Sequence, residues 1–269
     1  MRHLFAMDAR RAFGQGRLWF LAAGIVLLLF VNSRGFGHNF FPSAVYVLQH
    51  AAINFIQQGI LILAAFGYAG AFCEDWKNRN IRNILARSSP KRYAVSKICV
   101  CALAGFVTYF VAYIVFALLA GLLAGGVWIG NPNYVMGDRG ESIPIWDGCA
   151  SDALLLAGNF PLWLVCRGVR HALEGSFFAV ISLAISTLIP NELIVLTIPA
   201  ITHFLLNFFP IKLSFLPIFR IDAIYENSAF YLFDSVWLHL LLELALTAAV
   251  CLLMGVLFYF GVQRRLERG

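Results

Sequence analysis

Ile98-Cys-Val-Cys-Ala-Leu-Ala-Gly-Phe-Val-Thr-Tyr-Phe-Val-Ala-Tyr-Ile-Val-Phe-Ala-Leu-Leu-Ala-Gly-Leu-Leu123 runs its whole length without a charged side chain. A helix of about 20 apolar residues crosses the hydrocarbon of a bilayer. Shorter or comparable runs recur along the chain. Together they predict six spans at about 18–31, 52–72, 98–123, 172–189, 193–209 and 236–262. Composition agrees. Hydrophobic residues make up 61% of the 269 and charged residues 13%, against about half and about a quarter in soluble domains. The expected fold is therefore all-α: a polytopic membrane protein with one transmembrane domain over 1–269.

The segments between the runs set the orientation. Residues 2–13 alternate Leu4, Phe5 and Met7 with Arg2, Asp8, Arg10 and Arg11. That pattern suits a helix lying in the membrane interface. No small-residue cleavage site follows a short apolar core, so a cleaved signal is not expected. The stretch 153–166 is apolar but short and contains Pro161, and it reads as an interfacial or re-entrant piece. With six spans, 14 of the 20 Lys and Arg fall on the side of the termini and the 74–97 loop. Arg34, Arg139, Arg167, Arg170, Lys212 and Arg220 remain for the other side. Basic loops stay inside, so both termini and the 74–97 loop are expected in the cytoplasm of a cell membrane. The segments 128–171 and 210–235 are expected outside. The net charge of +6 is thus a topology signal, and no basic-aromatic surface for nucleic acid is evident.

The 74–97 loop carries the most information. Ile81, Ile84 and Leu85 share one face at helical spacing. Arg79, Arg82 and Arg87 surround it. Glu74 and Asp75 precede it, where a helix dipole favours acids. The reading is one rigid helix from about Asp75 to Arg87, ended by Ser88-Ser89-Pro90 and suited to mechanical contact with a partner. A solvated basic connector is the plainer alternative.

These residues resemble the ABC-2 type permeases, the membrane subunits of many bacterial ABC exporters. The resemblance covers the layout of the whole chain: an interfacial helix, six spans, and a charged loop between the second and third. The loop matches at an acidic pair (Glu74, Asp75), the Asn80-Ile-Arg-Asn-Ile-Leu85 stretch, Ser89-Pro90, Arg92 and Lys97, with Arg79 where the family usually has Gly. The resemblance implies that Glu74, Asp75, Arg79, Ile81, Arg82, Ile84, Leu85, Arg92 and Lys97 belong to a cytoplasmic coupling helix that docks on an ATPase. It further implies a second permease copy, identical or not, contact with membrane lipid, and export of a peptide, antibiotic, lipid or similar amphipathic substrate.

Absent motifs narrow the chemistry. No G-x-x-x-x-G-K-[ST], H-E-x-x-H or G-x-S-x-G occurs, so nucleotide hydrolysis is expected in another chain. The chain itself is not expected to be an enzyme, and neither a metal nor a cofactor is expected. Ionisable groups inside spans are functional candidates by default. His239 and Glu243, four apart in the sixth span, are expected to share a face and to pair, possible residues of a transport path. Asn54, Gln57, Gln58, His203 and Asn207 read as polar contacts between helices. Of the six cysteines, only Cys149 and Cys166 are placed to form a disulfide. Two other classes compete: a membrane-embedded enzyme acting on lipid-like substrates, and a membrane anchor or sensor.

Overall fold

Ser89 and Pro90 start the long helix that the apolar run foretold. Ser89 is the N-cap, its hydroxyl accepting from the Arg92 amide, and Pro90 fills the first turn, where a missing N–H costs nothing. The computed structural model describes residues 2–14, 16–35, 43–51, 55–129, 133–136, 142–145, 152–212, 221–225 and 235–268. Its elements in order are α1 (Arg2–Phe13), α2 (Arg17–Gly35), α3 (Ala44–His50), α4 (Phe55–Phe66), α5 (Ala71–Lys77), α6 (Asn80–Arg87) and α7 (Pro90–Leu123). Then come β1 (Asn133–Met136), β2 (Ser142–Ile145), α8 (Asp152–Leu156), α9 (Phe160–Ser186), α10 (Glu192–Lys212), α11 (Ile221–Tyr225) and α12 (Val236–Arg268). β1 and β2 pair antiparallel, with Asn133 opposite Ile145. Everything else in regular structure is helical.

Among the described residues, three helices are long and apolar enough to cross a membrane: α7, α9 and α12. The number rises to five if each of two bent pairs is one span. The pairs are α1 with α2, bent by 46°, and α4 with α5, bent by 48°. α10 is a shorter apolar helix. The solvent is written in the burial pattern. α9 is the least apolar of the three long helices, yet 89% of its central stretch is buried; α12 is far more apolar and only 11% buried. Leu122, Leu193 and Leu252 are more than 70% exposed. An inside more polar than the outside is stable only when the surroundings are hydrocarbon.

The boundaries correct the sequence reading in two places. The fourth span is not 172–189: α9 begins at Phe160, and Pro161 opens it rather than interrupting it. The supposed interfacial piece 153–166 is therefore divided between α8 and the first turns of α9. Arg167, Arg170 and His171 consequently lie inside the bundle, buried, and not in an outer segment. The second span is also not continuous over 52–72, because α4 stops at Phe66 and the chain turns through Gly67–Gly70 before α5.

α9 is the hub. It packs on α7, α12, α10 and α4. Its closest approach is to α7, where an added Cβ on Gly105 would stand 2.9 Å from the Gly175 carbonyl oxygen and 3.1 Å from Ala179 Cβ. Small residues let two helix backbones touch inside a membrane. Gly105→Val is expected to destabilise the folded protein by about 1–3 kcal/mol through forced separation of α7 and α9. Thermal unfolding in detergent, compared with an exposed Leu118→Val control on the same helix, measures it.

One end of the bundle gathers the chain termini. Arg11 of α1 reaches Glu74 and Asp75. Arg265 of α12 donates to the carbonyls of Thr187 and, at 2.6 Å, Leu188, closing the C-terminus of α9 with a cation. Its guanidinium also lies 5.3 Å from the Trp76 ring centroid. Both termini, the 74–97 segment and the α9–α10 turn thus share one end. At the opposite end, the Ala44 and Val45 amides donate to the carbonyls of Val127 and Trp128, just beyond the C-terminus of α7.

Candidate functional site

Among the described residues, two polar assemblies interrupt the apolar interior, one at the shared end and one along α9. The first begins with Lys97, fully buried in the second turn of α7. Its ammonium has three protons and three acceptors: Asp8 Oδ1 at 2.9 Å, Asp75 Oδ2 at 2.8 Å and Tyr68 Oη at 3.0 Å. Asp75 also accepts from Tyr93 Oη at 2.9 Å and Arg11 Nη1 at 2.6 Å. Asp8 accepts from Ser96 Oγ at 2.6 Å. Arg11 and Arg17 complete the charge balance on half-exposed Glu74. A buried charge survives in this way only when its partners are in place.

This junction ties α1, α5 and α7 together and fixes α6 between them. The coupling segment is consequently not one helix. Asp75 lies in α5, and Asn78 and Arg79 turn the chain into α6. Arg79 takes a left-handed conformation, φ 56°, at that turn. Glycine adopts such geometry freely, and a side chain there costs roughly 1 kcal/mol. Glu74 and Asp75 therefore do not cap the α6 N-terminus; they anchor α1.

The amphipathic face of α6 also differs from expectation. Ile81 is buried in the protein's own core with Phe72, Tyr93 and Phe258, and Ile84 and Leu85 are half-buried against the same cluster. Ile81 holds α6 to the bundle, while Ile84 and Leu85 pack only partly against it. Arg82, Asn83, Ala86 and Arg87 form the exposed side, and Arg79 and Arg92 are exposed nearby. An open groove of about 930 Å³ runs between α1 and α6, lined by Leu4, Met7, Ile84, Ala86, Arg87 and Arg92 among others.

The second assembly is a stripe on α9. Arg167, Arg170, His171 and Glu174 follow one another at three- and four-residue steps, so they share a face. Every one is buried. Arg170 Nε donates to Glu243 Oε1 at 2.6 Å, and Arg170 Nη2 to the Ile224 carbonyl at 3.3 Å. Glu243 is fully buried and pairs with an arginine of the central helix. This replaces the expected partnership with His239. His239 is buried on the same helix. Tyr225 Oη and Thr247 Oγ1 sit 2.7 Å apart on the same side. Glu174 accepts from Gln57 Nε2 at 2.7 Å, while His203 and Asn207 of α10 face each other at 3.2 Å. Gln57 thus joins α4 to α9, and His203 lies 3.8 Å from Glu174 of α9, in line with the reading of both as contacts between helices; the Asn207 contact stays within α10. Asn54 and Cys149 lie outside the described residues, and Cys166 is a buried free thiol.

Among the described residues no group of three His, Cys, Asp or Glu is arranged to hold a metal ion. No protein-family model, curated protein or solved structure matches the chain. Functional argument must come from the two assemblies. Sequence reasoning missed Asp8, Arg11, Tyr68, Tyr93 and Ser96 because their partners are distant in the chain. The α9 stripe had a usable signal, the R-x-x-R-H-x-x-E spacing from Arg167 to Glu174. It was hidden by starting the span too late.

Proposed function

We propose that this chain is the membrane subunit of an ATP-driven exporter, an ABC-2 type permease with six spans that works with a separate ATPase and a second permease copy. α10 would be the fifth span and the bent pairs the first and second. The termini and α6 would face the cytoplasm, as the distribution of Lys and Arg favours. The observation that carries the reading is the position of α6. It is a short helix with an exposed polar side, at the same end as both termini; the α5 helix that leads into it is fastened to α7 through the buried Asp75–Lys97 pair, and Ile81 of α6 packs in the same core cluster as Tyr93 of α7. A push on α6 is passed into α7 and then into α9, on which α7 packs along its length. Closure of the ATPases on ATP would supply that push. Separation of the two permease copies would then open a path for an amphipathic substrate in the membrane.

Docking is carried by the exposed side of α6, not by Ile81, Ile84 and Leu85. Ala86→Trp, and the double change Arg82→Glu with Arg87→Glu, are expected to cut recovery of the ATPase with the purified permease at least tenfold, about 1.4 kcal/mol. Thermal stability of the permease should stay unchanged, because these side chains are exposed. Full ATPase recovery with both variants would remove α6 as the docking element and leave it a connector.

A further inference from the structure

The groove between α1 and α6 holds about 930 Å³. Its floor is apolar, with Leu4 and Met7 from α1 and Ile84 from α6. Leu4 and Ile84 are half-buried, and Met7 is 43% exposed. Its rim is basic. Arg87 ends α6, Arg92 stands in the first turn of α7, and both are exposed. The acids on α1, α5, α6 and α7 are Asp8, Glu74 and Asp75. Each is already answered inside the protein: Asp8 by Lys97, Asp75 by Lys97 and Arg11, and Glu74 by Arg11 and Arg17. Arg87 and Arg92 pair with no acid among the described residues. The groove therefore offers uncompensated positive charge above an apolar floor.

α7 carries the groove on into the membrane. Arg92, Val95, Cys99 and Leu103 follow at steps of three and four residues, so they share a face. Val95 and Leu103 are each 45% exposed, and Cys99 is exposed. From Arg92 to Leu103 this stripe rises about 16 Å. One leaflet of a bilayer is about 15 Å of hydrocarbon. A ligand that fits both the rim and the stripe has an anionic head and an apolar tail.

We propose that the groove seats an anionic phospholipid of the adjoining leaflet. Its phosphate is held by Arg87 and Arg92, and an acyl chain lies along Val95, Cys99 and Leu103. A guanidinium fork matches phosphate oxygens in pairs. An acidic protein segment would satisfy the arginines but leave the apolar stripe without a role; a lipid uses both. The bound lipid fills the space between the interfacial helix and α6, and so stiffens their contact. The inference goes beyond the exporter reading. It needs only a chain embedded in a bilayer, and it holds whether or not an ATPase docks.

The test counts bound lipid. Full-length protein in nonionic detergent is mixed with phosphatidylglycerol or phosphatidylcholine, and native mass spectrometry reads the complexes. Wild type should bind phosphatidylglycerol the more tightly of the two. The double change Arg87→Gln with Arg92→Gln should weaken phosphatidylglycerol binding by about tenfold or more, since each basic side chain at a membrane surface adds its own attraction for anionic lipid. Lys77→Gln with Arg79→Gln removes as much charge from exposed side chains outside the groove and should change binding less than about twofold, because distant exposed charges are screened. Met7→Trp fills the floor without a change of charge. It should weaken binding too, and it carries the test if the arginine variant does not fold. Glycerol 3-phosphate, a head without chains, and polyglutamate, an acidic polypeptide, should not displace the lipid. Equal binding of the two lipids by wild type, unchanged binding in the arginine variant, or an equal loss in the Lys77–Arg79 control would overturn the inference. So would unchanged binding in Met7→Trp where the arginine variant does not fold. Displacement by glycerol 3-phosphate would make this a site for soluble phosphate, and displacement by polyglutamate a surface for acidic protein; either result overturns the lipid assignment.

Discussion

Lys97→Ala is expected to destabilise the folded protein by about 3–5 kcal/mol, the usual result of removing one member of a buried ion cluster. The ammonium stands between two buried carboxylates, Asp8 and Asp75. Without it, these acids face one another with Arg11 as the remaining partner of Asp75. The methylene stem of Lys97 is lost as well, leaving a void among Tyr68 and Tyr93, whose rings lie 5.2 Å and 5.3 Å from the ammonium. The charge on the orphaned carboxylates is what costs stability in Lys97→Ala, and acid removes it, so the penalty should be largest at neutral pH and shrink as the pH falls. Adding Asp8→Asn to Lys97→Ala should recover part of the loss by deleting one orphaned charge. Unfolding of detergent-purified protein across pH measures all three. A Lys97→Ala protein within about 0.5 kcal/mol of wild type would mean that the cluster is water-filled rather than dry.

The second large effect belongs to Arg170 and Glu243, which join the central helix to α12. Both are buried, and Oε2 of Glu243 accepts no hydrogen bond from the described residues. Arg170→Met alone should cost about 3–5 kcal/mol, and Glu243→Leu alone about the same, because each takes from its partner the opposite charge that it meets at 2.6 Å in a buried interior. The double variant removes both charges and fills the space with apolar atoms. It should lie within about 1–2 kcal/mol of wild type, since a buried pair is often worth no more than well-packed hydrocarbon. The four proteins form a double-mutant cycle that isolates the pair. Additive single effects would show that Arg170 and Glu243 act separately. If the double variant is stable yet no longer moves substrate in a reconstituted exporter, the pair serves transport rather than folding.

Much of the architecture was legible without coordinates. Ile98–Leu123 announces a long apolar helix because a charge-free run has only one low-energy home. Ser89-Pro90 marks its start because a hydroxyl cap and a proline in the first turn are local chemistry. The tight Pro190-Asn191 turn between α9 and α10 is local as well: Asn191 Oδ1 accepts from the Leu193 amide at 3.0 Å. The i, i+3, i+4 spacing of Ile81, Ile84 and Leu85 did forecast α6. Each of these signals is contained within a few residues.

Other features depended on which segments meet. Sequence spacing shows that Ile81 has an apolar face but not what covers it, and the cover is the protein's own Phe72, Tyr93 and Phe258 cluster. Glu74 and Asp75 looked like acids for a helix N-terminus; their partners are Arg11, Arg17 and Lys97, between 20 and 65 positions away in the chain. Glu243 had His239 four residues along its own helix, yet took Arg170 from the central one. An arginine can answer a buried carboxylate with a permanent charge, and a neutral imidazole cannot. By itself, then, the sequence determined that this chain is a bundle of apolar helices and where its capped and tight turns fall, because hydrocarbon burial and local hydrogen bonds depend on nearby residues. Only the tertiary structure decided how the buried charges pair and that α9 lies at the centre, because pairing in a dry interior is settled by distance in space.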